Sequence, residues 1–109
     1  MLTQQTAIDT VRDYANEIGN LGIALKYVIL YGSFAKGTQR EWSDIDVALV
    51  ADNFEGLPND HYYFASIAIK KPYVRIETVT YQTDYFREGD PFIDIIKKEG
   101  IVIQKSLKN

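Results

Sequence analysis

The sequence predicts an α/β domain, a small sheet of about four strands packed with helices. Three observations carry this. An apolar stripe of helical period opens the chain, short runs rich in β-branched and aromatic residues follow it, and the two patterns alternate. The order reads helix, strand, short helical turn, strand, helix, strand, helix, strand. At 109 residues the chain is expected to form one domain over 1–109. Such a chain buries roughly two-thirds of its unfolded surface, so a core is feasible without staples.

Ala7, Ile8, Val11, Tyr14, Ala15 and Ile18 make the opening stripe. Thr3 or Thr6 is expected to cap it, with Asp9 in its first turn, and Gly19-Asn20 with Gly22 to stop it. Leu25–Tyr31, closed by Gly32, reads as a buried strand. Residues 32–43 form a turn with a helical turn near Phe34–Lys36. Ile45–Ala51 is the second strand, followed by a loop through Asp52-Asn53 and Gly56-Leu57-Pro58-Asn59. The segment Asp60–Lys71 suits a helix capped by Asn59 or Asp60 and ended by Pro72, although its aromatics and isoleucines would tolerate a strand. Val74–Thr80 is the third strand. Asp90-Pro91, a cap followed by proline at the first helical position, starts the last helix. Phe92, Ile95 and Ile96 form its predicted apolar face, and Gly100 stops it. Ile101–Ile103 is a short edge strand before a polar tail.

Composition removes several functional classes. With no cysteine, disulfides and Cys-ligated zinc or iron–sulfur sites are excluded. The single histidine, His61, excludes poly-His metal sites and reads as a helix-surface residue. Fifteen acidic against twelve basic residues give a net charge of −3, so direct capture of nucleic acid is disfavoured. No apolar run approaches the roughly 20 residues that span a bilayer, and Met1-Leu2-Thr3-Gln4-Gln5 is not a signal peptide. No membrane association and a cytoplasmic location are therefore expected.

The stretch that carries chemistry runs from Tyr31 to Asp46. A strand ends in Gly32-Ser33 and turns at once into a helix start, where unpaired backbone N–H groups and the Ser33 hydroxyl make an anion site. The same dipeptide also suits a plain strand–helix turn. Asp44 and Asp46 flank Ile45, so strand geometry puts both carboxylates on one face. Two such charges about 5 Å apart repel by roughly 3 kcal/mol at an effective dielectric of 20 and call for a counter-charge. Oxygen ligands suit a hard cation such as Mg²⁺, although Ser43-Asp44 could equally cap a turn at a solvated strand end. Glu77, alternating with Ile76, would join the pair if the strands adjoin; otherwise Arg75 and Glu77 pair on a solvated face. Neither common glycine-rich phosphate fingerprint is present. A calcium loop is excluded, because Ala48 and Leu49 stand where it needs a ligand and a glycine.

The spacing from Gly32-Ser33 to Asp44-x-Asp46 resembles the nucleotidyltransferase superfamily named for DNA polymerase beta. Its signature is Gly-Ser, a short helix, then Asp-x-Asp on the next strand. Gly32-Ser33-Phe34-Ala35-Lys36-Gly37 followed by Ser43-Asp44-Ile45-Asp46 is most similar to the minimal nucleotidyltransferases (MNT) of bacteria and archaea. The resemblance covers residues 25–51 firmly and the rest loosely. It implies a polymerase-beta-like fold with a small mixed sheet, and transfer of a nucleoside monophosphate from a nucleoside triphosphate to a hydroxyl, with release of pyrophosphate. Gly32 and Ser33 would hold the triphosphate, Asp44 and Asp46 would hold Mg²⁺, and Glu77 would be the third catalytic and metal-holding carboxylate. ATP as donor comes from the family alone. Lys36 stands where members often carry Arg, and would meet phosphate as a point charge without bidentate geometry. Arg40 is a weaker phosphate candidate on the same loop. The chain departs from the family at Glu77, where Asp is common.

Minimal members are typically paired with a small helical protein of the HEPN class, often an RNase toxin. They act as antitoxins by adenylylating a tyrosine of that partner. The resemblance therefore implies a HEPN-type partner, and with only Gln104–Asn109 after Ile103 no separate acceptor-binding domain is expected. Two alternatives stay open: a catalytically weak antitoxin that neutralises its partner by binding, and a small-molecule nucleotidyltransferase acting as a homodimer. Tyr62, Tyr63, Tyr81 and Tyr85 are candidates for a partner surface. Trp42 either shields the site, stacks on a base or packs on its own domain.

Overall fold

A computed structural model describes residues 2–56 and 58–106. Leu57, in the predicted Gly56–Asn59 loop, and the end of the polar tail lie outside the described residues. Thr3 accepts the Thr6 N–H at 3.1 Å and so caps α1 (Gln4–Asn20). Asp9 falls one turn beyond the first, because the cap is Thr3 and not Thr6. Strand β1 (Leu25–Tyr31) leads into the four-residue α2 (Ser33–Lys36), and β2 (Ile45–Ala51) follows a loop. Helix α3 (His61–Ala68) and a 3₁₀ turn (Lys71–Tyr73) cross back to β3 (Ile76–Gln82). Helices α4 (Thr83–Glu88) and α5 (Pro91–Glu99) then precede β4 (Ile101–Lys105).

The strands form one mixed sheet in the order β3-β2-β1-β4. Strand β1 runs antiparallel to β2 and β4, whereas β2 and β3 are parallel and so need the α3 crossover. The register pairs Tyr31 with Asp46 across β1–β2 and Asp46 with Glu77 across β2–β3. One face packs Val28, Leu30, Val47 and Leu49 against the α1 stripe, Phe34 and Phe64. The other packs Ile29, Ala48 and Val50 against Phe86 of α4 and Ile93 and Ile96 of α5. Tyr14 ties α1 to β3 by sharing a hydrogen bond with Thr78 Oγ1 at 3.1 Å, and meets the Phe64 ring edge-on at 6.4 Å.

Further sequence expectations change, beginning with α3, which ends at Ala68 and not at Pro72. Asp60 precedes α3 but does not cap it. It is fully buried and accepts from the Glu55 and Gly56 N–H groups at 2.9 and 2.5 Å and from Thr80 Oγ1 at 2.6 Å. That network folds the loop onto β3, and satisfying it outweighs a cap at the exposed helix start. The third strand begins two residues later than predicted, because Pro72 lies inside the 3₁₀ turn and Val74 ends it. Helix α4 was not expected. Its cap is the Gln82 side chain, which accepts from Asp84 and Tyr85 N–H at 2.9 and 3.1 Å, and glutamine is outside the usual capping set. On α5 the buried residues are Ile93 and Ile96, whereas Phe92 and Ile95 are exposed. Asp90 caps Ile93 at 2.7 Å and turns that side to the sheet, leaving the Phe92 ring to lean edge-on against Tyr31.

Candidate active site

The site is built where β1 ends. Gly32 adopts φ 74°, ψ −152°, and a Cβ there would collide with Asp46 Oδ2. Only glycine permits both the turn and this close approach of backbone to carboxylate. Ser33 then opens α2, whose last carbonyls accept from Gln4 Nε2 of α1 (Phe34 O at 2.9 Å, Ala35 O at 3.1 Å). The turn is thus clamped from the opposite layer. Beyond Gly37 the loop closes on itself, with Arg40 N–H donating to Ser43 Oγ at 2.8 Å. Ser43, not Asp44, caps that turn, and Asp44 is left exposed immediately before β2.

Asp46 is half-buried, and Ile45 points to the opposite, buried face. Glu77 lies beside Asp46 in parallel register and therefore on the same face of the sheet. Among the described residues no basic side chain forms an ion pair with Asp44, Asp46 or Glu77. The consequence is electrostatic. Burial, then Glu77, then Asp44 push the Asp46 carboxyl above its ordinary range. Tyr31, opposite Asp46 on β1, has its hydroxyl pushed up by burial and by Asp46, Tyr81 and Glu77, so it stays neutral and able to donate.

Among the described residues no three His, Cys, Asp or Glu side chains are close enough to cage a metal by themselves. The donor set nevertheless fits a hard divalent ion. It offers uncompensated carboxylates beside a glycine cradle, and Mg²⁺ usually takes one or two carboxylates and completes its shell with water and phosphate. The structure brings together Gly32, Ser33, Asp44, Asp46 and Glu77 at one end of the sheet. Lys36 ends the short helix that Ser33 opens and pairs with Glu99 of α5 at 3.8 Å. The Arg40 side chain is exposed on its turn. Arg75 does not pair with Glu77; it donates to the carbonyls of Glu41 and Ser43. Trp42 is 85% exposed and does not pack on its own domain. His61 is exposed on α3, its ring edge-on to Phe64 at 6.0 Å, as a helix-surface residue should be.

Sequence reasoning gave no role to Tyr31 or Gln4, and offered Arg75 only as an ion-pair partner of Glu77. Counting the antiparallel pairing back from the turn could have found Tyr31; no sequence signal marks Gln4 or the carbonyls that Arg75 reaches.

The family model described as "Nucleotidyltransferase domain" matches residues 8–103. The chain belongs to the nucleotidyltransferase domain family. As a nucleotidyltransferase it shares its architecture with several solved structures. A proposed nucleotidyltransferase from Sulfolobus solfataricus superposes with a TM-score of 0.67 at 19% identity, covering 96% of this chain and 86% of that one. A toxin-antitoxin structure with AMP-PNP gives 0.62 at 18% identity, covering 88% and 74%. The toxin-antitoxin MntA-HpeT, in a mutant with two Asp-to-Glu replacements, gives 0.56 at 18% identity, covering 97% and 76%. Among proteins with curated descriptions, none matches this nucleotidyltransferase in sequence. No helix among the described residues is long and apolar enough to cross a membrane.

Proposed function

We propose that this nucleotidyltransferase moves AMP from ATP to a tyrosine hydroxyl of a small helical HEPN-type partner, and thereby acts as an antitoxin in the cytoplasm. The observation that carries the reading is the in-register pair Asp46 and Glu77, with Asp44 beside them and the Gly32 turn against Asp46. The likeness to a toxin-antitoxin structure holding AMP-PNP supports both a protein partner and an adenine nucleotide.

The N–H groups at the start of α2 and the Ser33 hydroxyl bind oxygens of the triphosphate, which the bare Gly32 backbone admits closely. Asp44 and Asp46, with Glu77 beside them, would hold Mg²⁺ together with phosphate and water, and when bound the ion would neutralise the triphosphate and lower the pKa of the acceptor hydroxyl. Glu77 is exposed on the edge strand β3, open to an acceptor presented in trans, and it orients that hydroxyl and takes its proton. The acceptor oxygen bonds to the α-phosphorus as the bond to the bridging oxygen breaks, and pyrophosphate leaves. Tyr31 keeps a neutral hydroxyl close to Asp46, because burial and the neighbouring carboxylates oppose its ionisation. Catalysis is chiefly positioning and charge neutralisation.

The test incubates the purified protein with α-labelled ATP, Mg²⁺ and the helical protein encoded by the adjacent reading frame. Label on a partner tyrosine, lost in Asp44→Asn and Asp46→Asn, is expected. Partner binding without label would replace transfer by neutralisation through contact. Label on a small aminoglycoside-like alcohol would replace the protein acceptor.

A further inference from the structure

We infer that Arg75 is a positioning residue for Asp44: it clips the loop that carries this carboxylate to the strand that carries Glu77. The inference rests on the reading of Asp44 as a metal-holding group. Asp44 itself is exposed and lies outside β2, so its own side chain does nothing to fix it. Its two flanks are fixed instead, both by one residue. Arg75 Nη2 donates to the Ser43 carbonyl on one side and also to the Glu41 carbonyl at 2.9 Å. On the other side, the Arg75 carbonyl accepts the Ile45 N–H at 2.8 Å. Three hydrogen bonds from a single residue thus straddle Asp44.

The local turn adds stiffness from within the loop, since Ser43 N–H donates back to the Arg40 carbonyl at 3.0 Å. Arg75 stands two residues before Glu77, and β3 is paired on one side only, where a strand start tends to fray. The clip therefore sets Asp44 and the beginning of β3 in one frame. The Arg75 side chain is partly buried and makes no ion pair with Asp44 or Glu77, so its charge is directed to carbonyls. Lysine is one atom shorter and lacks the planar fork, and it cannot reproduce that span faithfully. A carboxylate set that is not a closed cage depends on such outer support to meet an ion in the right geometry.

The experiment compares the parent chain with Arg75→Met, Arg75→Lys and Asp44→Asn. It measures Mn²⁺ binding to metal-free protein by electron paramagnetic resonance, and hydrogen exchange over residues 40–46. Arg75→Met is expected to weaken Mn²⁺ roughly tenfold, and Arg75→Lys by a smaller factor. Exchange in residues 40–46 should rise in Arg75→Met while the β2 interior stays protected. Should Arg75→Met fail to fold, Arg75→Lys gives the same reading, with weaker Mn²⁺ binding and faster loop exchange. If the Arg75 variants bind Mn²⁺ like the parent while Asp44→Asn does not, the positioning role is wrong and the metal reading stands. If Asp44→Asn itself binds Mn²⁺ like the parent, the metal reading fails and the role of Arg75 fails with it.

Discussion

The two faces of the sheet are built for different ends. Under α1 and α3, alternate residues of β1 and β2 from Leu25 to Ala51 are sealed, and the largest buried rings, Tyr14, Phe34 and Phe64, all lie there. Under α4 and α5 the apolar cluster is smaller, and it gives way at one end. Ala48 and Val79 are in it; two residues earlier on the same strands, Asp46 and Glu77 are not. Strand β2 thus sends Val47 and Leu49 into a closed core and Asp46 to an open, negatively charged edge. Stability is concentrated on one side, so the other can keep carboxylates that repel one another.

That contrast can be broken from either side. Phe64→Ala should have the largest effect on folding, about 3–5 kcal/mol by loss of a fully buried ring, with ATP affinity of the folded fraction unchanged. Denaturant unfolding and nucleotide titration together would check both halves. Asp46→Asn should reverse the pattern, lowering transfer by more than about a hundredfold while the protein stays folded. Initial rates with labelled ATP measure it. Asp60→Ala belongs with the stability side although Asp60 is polar. It strands two N–H groups and the Thr80 hydroxyl, which should cost about 2–3 kcal/mol and raise hydrogen exchange over residues 52–60.

The smallest effect has a sign that separates this edge from the closed core. Burial and two carboxylates hold the folded pKa of Asp46 above its unfolded value. The native state therefore binds that proton more tightly. The associated stability is fully present below the unfolded pKa of about 3.9 and is lost as pH rises through the folded one. At neutral pH and without metal, Asp46→Asn should melt higher than the parent by roughly 2–4 °C, a modest gain because water screens a half-exposed group. Calorimetry in EDTA at pH 7 and pH 4 would show the gain at the first and its disappearance at the second.

Much of the site was legible because its geometry is local. Gly32-Ser33 needs only its own backbone, and Asp44-x-Asp46 needs only the strand period. The first two strands were bounded correctly because their β-branched runs are ended by glycine or by polar loops. Glu77 could not be placed, since its facing depends on strand order and parallel register, which lie outside any local pattern. Asp60 misled for a related reason: a cap is a local rule, whereas its partners Glu55, Gly56 and Thr80 come from a loop and a later strand. The face of α5 was misread because three apolar residues fit one stripe, and the choice of stripe is made by the Asp90 cap and by the space beside Tyr31. The Gln82 cap is local but made by a residue outside the usual capping set, whereas Arg75 as a clip follows from tertiary placement alone.

In the proposed function, Asp44 and Asp46 hold a metal-bound nucleotide at the open edge of the sheet. Titration of ATP into the parent and into the Asp44→Asn/Asp46→Asn double variant, each with Mg²⁺ and with EDTA, tests it most directly. The parent should bind ATP at least about tenfold more tightly with Mg²⁺, and the double variant should show no such gain. A parent indifferent to Mg²⁺, or a double variant that keeps the full gain, would contradict it.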